Sequence, residues 1–291
     1  MSDYIVITPV RNEDKHLVKT IESMVSQTIR PAIWVIVNDG SSDNTKSIVD
    51  AAAEKHSWIR AVHRPDRGFR KSGGGVVEAF YDGYALIQQP ASWDFLAKLD
   101  GDLAFEPDYF QKCLARFEAD PKLGIGGGRV YCIRNGTFVD DSPGDPSFHV
   151  RGATKIYRCA AWEAIAGLLP SPGWDTLDEL KANMLGWKSC SFTELKVLQL
   201  KPTGSADGKW KNWFKNGRAN YVTGYHPAFM MAKCLKRVFT PPILIGAAGL
   251  ACGFINGYLD NKVCQIKDAA LIRYIRTQQI RKLTLRRSIW D

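Results

Sequence analysis

Short apolar runs alternate with amphipathic stretches through the first 120 residues of the chain. Tyr4–Thr8 is a run of strand character closed by Pro9. From Asp14 to Val25 the apolar positions Leu17, Val18, Ile21, Met24 and Val25 recur at three- and four-residue steps, which predicts a helix. Ile33–Val37 reads as a second strand ending in Asn38-Asp39-Gly40, after which Ser41, Ser42 and Asp43 offer caps for a helix through Ala53. Trp58–Val62 is a third strand, Val76–Ile87 a helix, Phe95–Leu99 a fourth strand and Pro107–Phe117 the next helix. This alternation predicts an α/β fold with a mostly parallel central sheet covered by helices on both faces.

The second half is less regular. Gly126–Ile133, Lys155–Arg158 and Ser189–Leu200 read as strands, Ala160–Leu168 and Leu177–Leu185 as helices, and Lys201–Arg218 as a mobile loop. From Tyr221 onward the pattern is helical. The expected division is therefore a domain over 1–220, in two halves (1–125, and 126–220 with its loop), followed by a helical, partly hydrophobic extension over 221–291.

Polar residues punctuate the strand ends in three places: Pro9-Val10-Arg11-Asn12-Glu13, Asp39-Gly40-Ser41 and Asp100-Gly101-Asp102. In open α/β sheets, ligands bind beyond the carboxyl ends of the strands. The last group is the most telling. Two carboxylates one residue apart at the end of an apolar run repel each other and attract a divalent cation, Mg²⁺ or Mn²⁺, shared with phosphate oxygens; the competing reading is a solvated Asp-Gly turn.

Charge sharpens the division. Residues 1–200 hold 23 Lys and Arg against 26 Asp and Glu, and residues 201–291 hold 16 against 4, so the formal charge of +9 belongs to the C-terminal third. The seven cysteines form no Cys-x-x-Cys pair, which argues against a zinc site or a disulfide framework and for reduced thiols. Tyr4–Val10 is too short for a leader peptide.

The motifs Val6-Ile7-Thr8-Pro9-Val10-Arg11-Asn12-Glu13, Val37-Asn38-Asp39-Gly40-Ser41-Ser42-Asp43-Asn44-Thr45, Leu99-Asp100-Gly101-Asp102 and Gly173-Trp174-Asp175-Thr176-Leu177-Asp178-Glu179-Leu180, with Gly186-Trp187 following, resemble in order and spacing the family 2 glycosyltransferases of GT-A fold. The resemblance covers residues 4–200. It implies a nucleotide-sugar donor, a UDP-sugar first among them, a divalent metal (Mn²⁺ or Mg²⁺) and inversion at the anomeric carbon, with a glycan or lipid-linked saccharide as acceptor. Carried over by position, it implies that Pro9 and Glu13, with Arg11 between them, line the nucleoside pocket and that Asp39 accepts a hydrogen bond from the base. It also makes Asp100 and Asp102 the Asp-x-Asp pair, with Asp102 on the metal. Asp175 corresponds to the general base. The family's Glu before that Asp is Trp174 here, a departure that bears on acceptor contacts.

Each assignment has a plainer rival. Asp175 would serve as base, or as the N-cap of the following helix, a role open to Asp178 as well. Arg67, Gly68 and Lys71, in the Gly-rich stretch 67–75, would hold the diphosphate, or form a flexible loop with solvated charges; no P-loop spacing is present. Trp174 would stack on an acceptor sugar, with Asp178 beside it, or sit in the core. His226 would complete a metal shell, or be structural. Lys209, Lys211, Lys215 and Arg218 would close as a lid, or be an ordinary solvated face. The rival functions are a sugar-phosphate nucleotidyltransferase and a non-catalytic nucleotide-sugar-binding protein. Nucleic acid is not an expected partner, since the basic tail matches no recognition motif.

Phe239–Leu259 contains no charged residue, yet its dense part, Ile243–Ile255, is 13 residues, short of the roughly 20 that a span requires. Gly249, Gly253 and Gly257 recur every four residues, and cations stand on both sides. Residues 239–291 are therefore expected to lie on a membrane surface as a monotopic attachment at the cytoplasmic face of the inner membrane; a buried core helix and a true span are the alternatives.

Overall fold

The computed structural model describes residues 3–69, 74–87, 93–201 and 208–291. Among them, nine strands form one sheet. They are β1 (Tyr4–Val10), β2 (Ile33–Asp39), β3 (Ile59–Arg64), β4 (Phe95–Leu99), β5 (Leu103–Phe105), β6 (Leu123–Arg134), β7 (Thr137–Asp140), β8 (Thr154–Arg158) and β9 (Lys188–Gln199). The order across the sheet is β3-β2-β1-β4-β8-β6-β9-β5, with β7 paired to β6. The first four neighbours are all parallel; beyond β4 the sheet becomes mixed, since β8 runs antiparallel to both β4 and β6 while β6 and β9 are parallel. The expected mostly parallel α/β sheet thus holds for the first half. The short β5 and β7 lie outside the sequence expectation because neither is long enough to show a period.

Residue alternation along the strands divides the core in two. Ile5, Ile7, Val35 and Val37 pack on α3 (Gly74–Ala85) and α5 (Cys159–Ile165). Tyr4, Val6, Trp34 and Ile36 face α1 (Leu17–Val25), α2 (Thr45–Lys55) and α4 (Tyr109–Ala119). Burying both faces of β1 and β2 explains their nearly unbroken apolar sequence.

The remaining helices are α6 (Trp174–Met184), α7 (Lys209–Val222), α8 (Pro227–Arg237), α9 (Ile245–Leu259) and α10 (Ala269–Leu283). Helix α7 replaces most of the mobile loop expected over 201–218, and it runs across the expected boundary at residue 220. Its order comes from packing. Gly249 and Gly253 of α9 let the two backbones approach so closely that a Cβ on Gly253 would stand 2.0 Å from the Phe214 carbonyl oxygen. A third apolar cluster, including Leu177, Leu180, Tyr225, Met230, Leu250, Phe254, Leu271 and Ile275, joins α6 to α8, α9 and α10. Among the described residues, no helix is long and apolar enough to cross a membrane.

Candidate active site

The parallel strands β1, β2 and β4 end on one rim, and their loops interlock there. Arg11, just past β1, donates to the Asp39 carbonyl (2.8 Å) and to the Asp66 carboxylate (2.7 Å). Asn12 N–H donates to Ser41 Oγ, and Glu13 N–H to Thr45 Oγ1, both at 2.9 Å. Gly101 closes β4 against β1: a Cβ there would lie 2.4 Å from Val10 Cγ1. The Asp-Gly-Asp sequence is therefore a close approach of two strand ends, a demand that a freely solvated turn does not make.

Asp39 is buried at the end of β2. Arg67 grips it with two parallel bonds of 2.7 Å, and Arg64 donates to the same carboxylate. Three of roughly four lone-pair sites are occupied, leaving one for a ligand N–H. Arg67, expected at the diphosphate, is instead turned onto Asp39, because a buried carboxylate requires a charge-assisted partner. Gly68 lies in the left-handed region (φ +73°), and its N–H donates to Asp66. Lys71 lies outside the described residues, and of Lys209 only the helical backbone is described. Pro9 is half-buried, paired in register with Val37.

Around Asp102 three carboxylates gather against two lysines among the described residues. The residue is 6% exposed. Burial first, then the charges of Asp100 and Glu13, push its carboxyl up to about 7. Among the described residues, Gln199 Nε2 donates to its carboxylate at 3.2 Å. Burial also raises Glu13, although Lys201 bonds its Oε1 at 2.7 Å; Glu13 Oε2 is buried without a partner among the described residues. Asp100 is paired with Lys98, a lysine that is itself buried and donates to the Gly152 carbonyl at 2.7 Å.

This arrangement suits a divalent cation. Mg²⁺ and Mn²⁺ are commonly held by one or two carboxylates with phosphate oxygens completing the shell, and an orphaned carboxylate oxygen beside two further carboxylates shows where positive charge is wanted. The described residues contain no group of three or more His, Cys, Asp or Glu arranged as a self-sufficient cage. His226 is not part of the cluster. It caps α8, its Nδ1 accepting from Ala228 N–H at 3.1 Å while its own N–H donates to Gln279. The structural role wins there because the first turn of a helix must satisfy its orphan N–H groups.

Asp175 lies in the first turn of α6. The N-cap is Gly173, in the left-handed region at φ +81°, so Asp175 is not the cap. It is half-buried, and its carboxylate accepts no hydrogen bond among the described residues. Its backbone is fixed: Lys155 Nζ donates to the Asp175 carbonyl, and a Cβ on Gly152 would stand 3.1 Å from Asp175 Cβ. Gly152 thus leaves no room for a side chain between itself and Asp175 and receives Lys98 on its carbonyl, and Lys98 holds Asp100. The general-base position and the Asp-Gly-Asp pair are linked through one lysine and one glycine.

Two acceptor assignments do not survive the geometry. Trp174 is 7% exposed, with the ammonium groups of Lys98 and Lys155 at 5.5 and 5.7 Å from its ring, so it offers no open face to a sugar. Asp178 is buried, bonded by Lys155 (2.7 and 2.9 Å) and by the Tyr157 hydroxyl (2.6 Å). These two residues form the floor that holds α6 in place. Lys155 pairs with Glu179 as well, which in turn binds His149 and the Val150 N–H. Burial works against the Lys155 charge, but Asp178 and Glu179 outweigh it and hold its pKa above the ordinary value. The sequence signal for these residues was a lysine in each of two apolar strands, Lys98 in β4 and Lys155 in β8, which are direct cross-strand partners. Like charges directly opposite are destabilising unless each has an anion.

Residues 5–148 match the family model described as glycosyl transferase family 2. The glycosyltransferase GlyG of Streptococcus pneumoniae is 27% identical over 154 residues, 52% of this chain and 45% of GlyG, so the chain spans under half the length of that relative. The fold is similar to that of S. aureus TarS 1–349 in complex with UDP-GlcNAc (TM-score 0.59, 18% identity, 98% of this chain and 92% of that one). It is also similar to the mannosyltransferase PcManGT from Pyrobaculum calidifontis in complex with GDP-Man and Mn²⁺ (TM-score 0.54, 17% identity, 93% and 78%). The expected GT-A architecture is therefore present.

Proposed function

We propose, from the match of residues 5–148 to the glycosyl transferase family 2 model, that the chain transfers a sugar from a nucleotide-sugar donor to a hydroxyl of a glycan or lipid-linked saccharide, with inversion at the anomeric carbon. The observation that carries this reading is the unbalanced carboxylate cluster of Asp102, Asp100 and Glu13, tied through Lys98 and Gly152 to the helix turn that bears Asp175.

Asp39 offers its remaining lone pair to the base of the nucleoside, with Arg64 and Arg67 fixing the carboxylate; Pro9, Arg11 and Glu13 line the same rim. Asp102 and Asp100 would hold a divalent cation, which when bound stabilises the charge developing on the leaving diphosphate. Asp175 takes the proton of the acceptor hydroxyl as its oxygen attacks the anomeric carbon from the side opposite the diphosphate. The bond to the diphosphate breaks as the new glycosidic bond forms, so one displacement inverts the configuration. Lys155 and Gly152 keep the Asp175 backbone in place while this happens. The UDP-GlcNAc bound to TarS supports a UDP-sugar donor, and the Mn²⁺ of PcManGT supports a cation at Asp102.

The test is Asp175→Asn. Donor binding, followed by calorimetry across a panel of nucleotide sugars, should be retained, while transfer falls by about 10²–10⁴-fold. Undiminished transfer would remove Asp175 from the chemistry; lost donor binding would move it to the donor side.

A further inference from the structure

The helical C-terminal part carries a surface that sugar transfer does not use. Helix α9 is covered on its glycine side by α7 and packs also on α8. Its outer side is apolar and bare: Ile245, Ala248, Cys252, Ile255 and Leu259 recur at three- and four-residue steps, all exposed. The exposed apolar character continues into the segment before the helix, where Phe239, Ile243 and Leu244 are 86%, 61% and 62% exposed, and onto α8 through Met231 and Leu235. No charged residue occurs from Val238 to Leu259. Single exposed apolar side chains are ordinary, whereas a connected set of this size marks a binding surface.

Cations border it. Lys236 and Arg237 close α8, and α8 packs on α10 as well as on α9. Arg273, Arg276 and Arg281 of α10, with Arg286 just beyond its end, line an open groove of about 780 Å³ that also contains Ile272 and Ile280. Among the described residues the acids of this region are engaged elsewhere: Asp260 pairs with Arg218, Asp268 caps α10 and Asp291 pairs with Lys282. Arginines three residues apart on one helix repel each other, so the groove favours an anionic partner.

We propose that this face docks on a bilayer that contains anionic lipid. The 239–245 segment and the outer stripe of α9 enter the boundary between headgroups and acyl chains, and the α10 arginines take lipid phosphates. Charge decides against a second copy of the chain as the occupant, since the region carries 16 basic residues against 4 acidic ones and would meet its own like. Length and packing decide against a span. The 15 residues of α9 extend about 22 Å at ~1.5 Å each, short of a hydrocarbon core of about 30 Å, and α7, which bears Lys211, Lys215 and Arg218, occupies one side of it.

The test is flotation of the full chain with vesicles of phosphatidylcholine alone or mixed with phosphatidylglycerol. Retention is expected on the mixed vesicles and should weaken with salt. Ile243→Glu with Leu244→Glu, both at exposed positions, should cut the bound fraction roughly tenfold or more. Arg281→Glu with Arg286→Glu should cut it by roughly fivefold for each arginine. An environment-sensitive fluorophore on Cys252, in a Cys264→Ser background, should shift to the blue when mixed vesicles are added. Circular dichroism and donor hydrolysis should be unchanged in all variants, so failure here leaves the sugar-transfer reading standing, and the reverse. Equal flotation on both vesicle types by parent and variants would overturn the proposal. So would a blue shift without vesicles that accompanies dimerisation, or retention on nucleic acid that the Ile243→Glu/Leu244→Glu pair does not affect.

Discussion

Asp102 gathers the tension of the site in one side chain. Its carboxyl sits near 7 in the folded chain against 3.8 ordinarily, because burial and the charges of Asp100 and Glu13 disfavour ionisation. Between those two values the folded chain binds more protons than the unfolded chain, so the stability contribution of this group falls as pH rises through the window and is lowest above about 7. Asp102→Asn removes the penalty. The variant should melt above the parent at pH 7.5, by about 2–4 °C for each kcal/mol relieved, and the gap should close as the pH is lowered toward 4. Added Mn²⁺ should raise the melting temperature of the parent at pH 7.5 and leave the variant unchanged. A parent more stable than Asp102→Asn at pH 7.5 without metal would contradict this account.

At the scale of elements, the pairing of α7 with α9 is the contact that turns a Lys- and Trp-rich stretch into ordered structure. Helix α7, 14 residues long, would be marginal alone; it is held because the glycines of α9 give it a flat surface to lie on. Gly253→Val should therefore push the helices apart at Phe214, at a cost of about 1–3 kcal/mol. Hydrogen exchange should rise over residues 209–222 while β1 to β4 stay protected, and Ala248→Val on the exposed side of α9 should be neutral. Unchanged protection over α7 in Gly253→Val would show that the close approach is not what orders it.

The whole molecule separates the tasks. The parallel half of the sheet delivers three loop ends to one rim, the antiparallel β8 brings Lys155, with Gly152 just before the strand, beneath α6, and the C-terminal helices close the far side through the cluster around Leu177, Tyr225 and Phe254. The sheet and its two apolar layers are complete without a cation. Chelation with EDTA is accordingly expected to abolish sugar transfer without changing the circular dichroism spectrum, and Mn²⁺ or Mg²⁺ to restore transfer. Loss of secondary structure on chelation would assign the cation a structural role instead.

The chain pattern by itself determined the alternation of strands and helices from Tyr4 to Phe117 and the three polar strand ends that carry Asp39, Asp100 and Asp102, because hydrophobic period and local turn chemistry are encoded over a few residues; Asp175 was singled out only through the resemblance of its motif to the family. Only the tertiary structure decided which cations those carboxylates keep. Arg67 went to Asp39, Lys98 to Asp100 and Lys201 to Glu13, while Trp174, Asp178 and His226 left the list of ligand contacts for the floor of α6 and the cap of α8. Several of those outcomes turn on which side chains are buried side by side across 23 to 188 residues of sequence, and the cost of an unpaired buried charge is set by that packing.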